Sequence, residues 1–291
     1  MKCPFCHVKF QVDNLIEVGR KYSYSVCKHC GGAVLIPQPK REEVHEIYSS
    51  DRYFSDLSKP HKNIFIQLLL GIKVFKGQNE WILTEFKKGS VLDVGCGNGI
   101  FLNDLKKSGW NVWGSDISKI AVKNTGKLIG PKRVKVGRFT SQRFSGRFDL
   151  ISFWHVLEHV ENPTRYLKKA YYFLKKGSHV VGEVPNFGSL NLRIFKSNYS
   201  WLMIPEHRLY FSNKALYEVL KKAGFVSINI FSVPRALLNF SLSLNNILKR
   251  KRAPKILRFL FFLVTLPISL GFTFLNSGIK RGEVLRFSAR K

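Results

Sequence analysis

Residues 91–101, VLDVGCGNGIF, restrict what this chain can fold into more than any other segment. Val91, Leu92 and Val94 make a short apolar strand. It runs into Gly95-Cys96-Gly97-Asn98-Gly99, after which Phe101, Leu102 and Leu105 recur at helical spacing. Strand, glycine turn and helix in that order form a ligand cradle. The glycines allow a sharp turn and a close backbone approach, and the first amides of the helix point at the bound group. The next strand, Val112-Trp113-Gly114-Ser115, ends in Asp116, twenty-one residues after Gly95, a spacing that suits a carboxylate gripping ribose hydroxyls. The expectation is an α/β fold with a nucleotide-like ligand. The 291 residues can bury one such core and still carry a small additional module.

Four of the five cysteines fall in the first thirty residues, as Cys3, Cys6, Cys27 and Cys30. Two Cys-x-x-Cys pairs twenty residues apart match a four-thiolate zinc site built from two knuckles, with Gly31 and Gly32 easing the second turn. Four thiolates saturate the metal, so the predicted role of the zinc is structural. The alternatives are four buried free thiols or two disulfides. No apolar stretch follows the basic start as a secretory leader would require, and reduced thiols point to the cytoplasm.

The glycine turn reads G-x-G-x-G behind the acidic Asp93, unlike the G-x-G-x-x-G of dinucleotide enzymes. VLDVGCGNGIF followed by GSDIS resembles the two cofactor motifs of class I S-adenosylmethionine-dependent methyltransferases. The resemblance continues through FDLISFWHVLEHVENP, KKGSHVVGEVPN and HRLYFSNKALYEVLKKAGF, over about residues 89–232 and a closing strand near 283–290. It is nearest to the ubiquinone-pathway O-methyltransferases, in particular a bacterial branch with an N-terminal zinc ribbon followed by Pro-x-Pro, here Pro37-Gln38-Pro39.

This resemblance implies a Rossmann-like α/β sheet, mostly parallel with an antiparallel last strand. It also implies a zinc ribbon over 1–40, a helical linker over 41–88 and a methyltransferase domain over 89–291. S-adenosylmethionine would be held by Asp93, Gly95, Gly97 and Gly99 at its methionine part and by Asp116 at its ribose, with Ser152 on the neighbouring strand also at the cofactor. The family usually places an acidic residue before the fourth strand to hold the adenine. None occurs between Gly137 and Phe148, which leaves Phe139 stacking and Gln142 hydrogen bonding as candidates.

After the strand Leu150-Ile151-Ser152-Phe153 comes Trp154-His155-Val156-Leu157-Glu158-His159, at the strand end where α/β sheets carry their sites. If helical, His155, Glu158 and His159 share one face. A neutral His155 could accept a proton from an attacking hydroxyl, or the three side chains could hold a divalent cation that acidifies that hydroxyl. In the resembled enzymes the segment reads Glu-x-x-Glu-His and is associated with a metal. The plain alternative is that Glu158 and His159 only cap and orient the loop. His207 is a second candidate base.

A strand at Ile228–Phe231 and another at Glu283–Ala289 are separated by about fifty residues, an apolar and basic insertion over 233–280. Phe259 to Leu275 holds five phenylalanines and no charge, behind Lys249-Arg250-Lys251-Arg252, Lys255 and Arg258. Pro267 and Gly271 are expected to break a helix here, giving a shallow, kinked contact with an anionic membrane. A substrate lid or a dimer face is the alternative. The formal charge of +29 calls for an anionic partner.

The functional expectation is methyl transfer, O-directed, to a small-molecule or lipid-linked acceptor: a quinone precursor, a glycolipid or a surface-polysaccharide sugar. The protein would then be peripheral on the inner face of the membrane. An RNA methyltransferase is the main alternative, favoured by charge and ribbon. Against it stand the lack of an Asn-Pro-Pro-aromatic motif and of a nucleophilic cysteine after the fourth strand. A non-enzymatic membrane adaptor is the third.

Overall fold

The computed structural model describes residues 1–12, 15–18, 21–40, 43, 76–233, 238–278 and 281–291. Within the 41–88 linker the sequence places helices around Glu42 to Tyr48 and from about His61 to Lys87; the first apart from Glu43, and the second as far as residue 75 with Ile64, Leu68 and Ile72, lie outside the described residues, and Lys76–Glu85 is helical.

A seven-stranded sheet forms the core. Its strands are β4 (Ser90–Val94), β5 (Asn111–Asp116), β6 (Val134–Val136), β7 (Phe148–Trp154), β8 (Leu174–Pro185), β10 (Val226–Val233) and β11 (Val284–Arg290), in the order β10-β11-β8-β7-β4-β5-β6. Strands β4 to β8 pair in parallel, and β11 lies antiparallel between β8 and β10, with Ile230 opposite Phe287. This is the sheet of a class I methyltransferase, as the motifs imply. Near-continuous apolar runs such as β4, with Val91, Leu92 and Val94 buried, follow from helices covering both faces.

Helices α1 (Lys76–Glu85), α2 (Ile100–Lys107), α3 (Lys119–Ile129), α4 (Pro163–Phe173), α5 (Leu190–Phe195) and α6 (Asn213–Lys222) complete the core. Several of their starts are capped locally. Ser118 accepts from the Ala121 amide, Asn162 from Arg165 with Pro163 at the first helical position, and Ser212 from Ala215. Helix α2 buries Phe101, Leu102 and Leu105, the residues that its spacing singles out. The chain order reverses beside β4, whose neighbours are β5 on one side and β7 on the other. The crevice beyond the carboxyl ends of these strands is where such sheets bind ligands.

The N-terminal segment makes β1 (Leu15–Glu17), β2 (Ser23–Val26) and β3 (Ala33–Ile36), an antiparallel sheet with β1-β2-β3-β9 order. Its fourth strand, β9 (Leu209–Tyr210), comes from the core, pairing Ala33 with Tyr210 and Val34 with Leu209. The insertion folds as two helices, α7 (Asn239–Arg250) and α8 (Lys255–Gly278). Here the structure differs from expectation: α8 runs unbroken through Pro267 and Gly271. Proline removes one amide donor and crowds the preceding turn. Thr265 and Thr273 meanwhile donate to the carbonyls of Phe261 and Ser269, the local bonding by which threonine adapts to a helix interior.

Candidate functional site

The glycine turn leaves β4 with Gly95, Gly97 and Gly99 at φ of 75°, 52° and 75°. A β-carbon on Gly95 would lie 2.4 Å from Val156 Cγ2, and one on Gly99 would lie 2.7 Å from Thr125 Oγ1. A β-carbon at Gly97 would have no neighbour within 4 Å among the described residues. Beside it, Asp116 ends β5 with Oδ2 accepting from the Gly97 amide at 2.9 Å and Oδ1 from the Ser118 amide at 2.8 Å. A carboxylate has about four acceptor sites, so two amide bonds leave capacity for ribose hydroxyls. Burial raises the Asp116 pKa, and the two amides pull it back.

Asp93 lies below this turn, buried, and accepts from Ser152 Oγ at 2.7 Å across the β4–β7 pairing. Burial pushes its carboxyl up to about 8, against the Ser152 bond. A cation docking above it would favour the ionised form. Ser152 is therefore spent on orienting Asp93.

The two side chains considered for adenine are committed elsewhere. Phe139 is buried against Phe144, Phe153 and Tyr166. Gln142 accepts from Ser115 Oγ at 2.7 Å and donates to the carbonyls of Gly137 and Lys135. Neither can turn to a base without losing core packing or buried hydrogen bonds.

A second cluster sits where β7 and β8 end. The segment from His155 to His159 is a turn and not a helix, and what gathers its side chains is the left-handed His155, at φ 54°. His155 Nδ1 lies 3.1 Å from Glu158 Oε1, and its Nε2 lies 3.6 Å from Glu183 Oε2. Burial disfavours the imidazolium, but these two buried carboxylates outweigh it and lift His155 to about 9. The shift favours the imidazolium form of His155, whereas the base considered from sequence needs the neutral ring. Trp201 covers it, ring centroids 5.5 Å apart.

Glu183 and Arg286 were not singled out by the motifs. Glu183 is fully buried in β8 and takes Arg286 Nε at 2.7 Å, Arg286 Nη2 at 2.5 Å and Gln78 Nε2 at 2.8 Å. The available signal was a charge inside an otherwise apolar strand run, VVGEVP and VLRFSA, since such a group is buried only with a partner.

His207 approaches from the segment before β9. Its Nδ1 is 3.4 Å from Tyr210 Oη, which donates to the Trp201 carbonyl at 2.9 Å and so receives the imidazole N–H. His159 Nδ1 donates to the Glu206 carbonyl at 2.9 Å. Both rings are thereby set to carry their lone pair on Nε2. Burial, then the neighbouring His159 and His155, drive the His207 pKa well below the usual imidazole value. One ligand atom each from Glu158, His159 and His207 lies within 4.8 Å of the others, and Glu158 Oε2 is buried with no hydrogen-bond partner among the described residues. A carboxylate and two imidazoles form a donor set for a divalent cation. His207 takes the position in it that His155 was expected to hold.

The cysteines form a third group. Cys3, Cys6, Cys27 and Cys30 are buried, with sulfurs 3.7 Å apart in the pairs Cys3–Cys30 and Cys6–Cys27. A disulfide needs about 2.05 Å; thiolates about 2.3 Å from one tetrahedral ion would stand about 3.8 Å apart. This ribbon grips the His207 segment. Tyr24 Oη donates to the His207 carbonyl at 2.5 Å, Ser212 Oγ to the Cys30 carbonyl at 2.5 Å, and Arg208 Nε to Gln38 Oε1 at 2.9 Å.

A family profile for the methyltransferase domain matches residues 75–229. Among curated relatives, the ubiquinone biosynthesis O-methyltransferase of Dechloromonas aromatica (strain RCB) is 32% identical over 97 residues, 31% of this chain and 41% of the relative. That of Escherichia coli O9:H4 (strain HS) is 28% identical over 141 residues, 45% of this chain and 55% of the relative. The chain thus spans about half the length of these relatives, or less. Among solved structures, an S-adenosylmethionine-dependent methyltransferase from Thermotoga maritima aligns with a TM-score of 0.56 at 17% identity, covering 85% of this chain and 99% of its own. Phosphoethanolamine N-methyltransferase 2 of Haemonchus contortus, in complex with S-adenosyl-L-methionine, aligns with a TM-score of 0.55 at 17% identity, covering 85% of this chain and 60% of its own.

Proposed function

The chain belongs to the methyltransferase-domain family, and we propose that it transfers a methyl group from S-adenosylmethionine to a hydroxyl of a small-molecule or lipid-linked acceptor. One observation carries the reading: Asp116 stands beside Gly97 at the crevice where the strand order reverses, with the His-Glu cluster at the end of the adjoining β7. S-adenosylmethionine fits these residues. The space over Gly97 admits the ligand chain, Asp116 keeps acceptor capacity for ribose, and Asp93 gains from an ammonium placed above it. The cofactor supplies a methyl already activated on sulfonium, so the protein has to align a nucleophile and remove its proton.

Glu158, His159 and His207 are the groups we assign to the acceptor hydroxyl. Their donor set suits a divalent cation, which would lower the hydroxyl pKa there. His155 is a positioning residue, whose imidazolium holds Glu158 toward the cluster. The names of the curated relatives favour oxygen as the methylated atom. Four thiolates around structural zinc would fix the ribbon, and through Tyr24 they would fix the backbone that carries His207. RNA as acceptor draws support only from the net charge of +29 and the ribbon.

Calorimetric titration with S-adenosylmethionine, using NAD as control ligand, tests the cofactor. We expect binding near the micromolar scale, about −8 kcal/mol, for the first alone. Absence of binding would end the enzyme reading. Transfer of labelled methyl to lipid extract or catechol, set against transfer to RNA, then decides the acceptor class.

A further inference from the structure

The longer helix of the insertion, α8, is built inside out. On α8, Thr265, Ser269 and Thr273 recur every fourth residue, and all three are buried, Ser269 fully. Asn239, Ser241 and Ser243 are the buried residues of the partner helix α7. The opposite side of α8 carries Ile256, Val264 and Leu275, 67%, 70% and 65% exposed, with Phe259, Ile268 and Phe274 also outward. A water-facing helix has the reverse arrangement, and contiguous exposed apolar surface of this kind marks a contact with an apolar phase.

The cations say which phase. Lys249, Arg250, Lys251, Arg252 and Lys255 are exposed where the two helices join, and Arg258 follows one turn later. Aliphatic and aromatic side chains next to such a cluster match acyl chains beneath anionic headgroups. Nucleic acid offers nothing to Val264 or Ile268. A second copy of a chain with net charge +29 would bring like charges together.

The 21 residues from Lys255 to Leu275 have a mean hydropathy of 1.9 and are long enough to cross a bilayer. The architecture opposes crossing. Helix α7 runs back along α8 and is held at its start by the core: Asn239 Nδ2 donates at 3.1 Å to buried Glu283, which also receives Asn191 and Tyr199. The far end of α8 returns to β11. Insertion would therefore carry the whole cationic tip through hydrocarbon.

We propose that α8 lies flat in the interface of an anionic membrane, with its Ile256–Val264–Phe274 side in the acyl region and the 249–258 cations at the headgroups. Docking bears on the acceptor pocket. Ser200 binds α7 through Ser243 Oγ at 3.0 Å and Asn239 Oδ1 at 2.9 Å, and the next residue is Trp201 over His155. The proposal goes beyond the methyl-transfer reading and stands without it, because vesicle binding is read without turnover.

The full chain is sedimented with vesicles of equal parts phosphatidylcholine and phosphatidylglycerol, and with phosphatidylcholine alone. Binding to the anionic vesicles is expected. Phe259→Ser, Val264→Ser and Ile268→Ser together should weaken it at least about tenfold without changing the circular dichroism spectrum or thermal midpoint. Unchanged sedimentation of that variant, or its loss in salt alone with the serines without effect, would overturn apolar docking. So would a dimer that the serines dissociate and that ignores vesicles. Should the triple variant misfold, Val264→Trp and Phe274→Trp, read singly against brominated lipids, keep the test open. Equal shallow quenching is expected, whereas a deeper Val264 would mean a spanning helix and overturn the flat one.

Discussion

In the N-terminal ribbon, Phe5 and Tyr24 are buried against Phe211 and Tyr210 of the core, and their backbone shares a sheet with β9. In the α7–α8 hairpin, Val264 and Ile256 point away from the core, and Ser269 and Thr273 are among the buried residues. Both modules are additions to one sheet and both place apolar side chains against the core, α7 through Phe240, Leu244 and Ile247, but the outer side of α8 has no share in that packing. Removing the ribbon would uncover large aromatic surface and release the segment that carries His207. Removing apolar contacts from the outer side of α8 takes nothing from the folded chain in water. The ribbon is thus coupled to the site through packing and strand pairing, whereas the hairpin meets the core along one side of α7, with Phe240 against Phe195, and through polar bonds that include those at Ser200 and Glu283.

That contrast can be broken at the four cysteines. Cys27→Ser should lower stability by about 4 kcal/mol or more, seen in denaturant unfolding, and abolish methyl transfer. The outer-face serine variant should leave turnover of a soluble acceptor intact. A Cys27→Ser protein with full activity would mean that the ribbon does not hold His207 in place.

Asp116→Ala touches neither module and calibrates both. Loss of a charge-assisted contact should weaken S-adenosylmethionine binding by about 1.5–3 kcal/mol, read by calorimetry, with the fold retained. Normal affinity would show the ribose to lie elsewhere.

His155 lies between the two influences, under Trp201. Its folded pKa of about 9 exceeds the ordinary 6.5, so its contribution to stability is complete below pH 6.5 and is lost as pH rises through 9. His155→Gln should remove a stability decline on the order of 2 kcal/mol across that window, measured as unfolding free energy against pH. An unchanged slope would exclude the paired imidazolium.

The smallest effect belongs to Asp93. With its carboxyl near 8, cofactor binding at pH 7 should release a little under one proton as the ammonium ionises it. Binding enthalpies in buffers of different ionisation heat would count it; a count of zero would place the ammonium elsewhere.

The core was legible in the order of its motifs. Strand β4, the glycine turn, α2 and Asp116 are contiguous or separated by one helix, so local periodicity and spacing are enough to read them. The cysteine knuckles are legible for the same reason. The cluster of Glu158, His159 and His207 was only half legible: two members are adjacent, but His207 arrives from 48 residues onward, brought in by the Arg208 and Leu209 amides, which donate to the Glu158 carbonyl, and by β9 pairing with the ribbon. Glu183 and Arg286 went unread because strand pairing across β8 and β11 made them partners. Helix α8 was misread at Pro267, where local propensity argued for a break and tertiary packing along α7 retained the helix.

By itself the amino-acid order determined the α/β class, the cofactor turn with its carboxylate, the paired cysteines and the existence of an apolar, cation-flanked insertion. Each is a matter of residues near one another along the chain. Only the tertiary structure decided that the imidazolium form of His155 is favoured, that His207 completes the cluster, that Phe139 and Gln142 are committed to the core, and that the polar side of α8 is the buried one. These depend on burial and on which charges face one another across the fold, and neither quantity exists until distant segments meet.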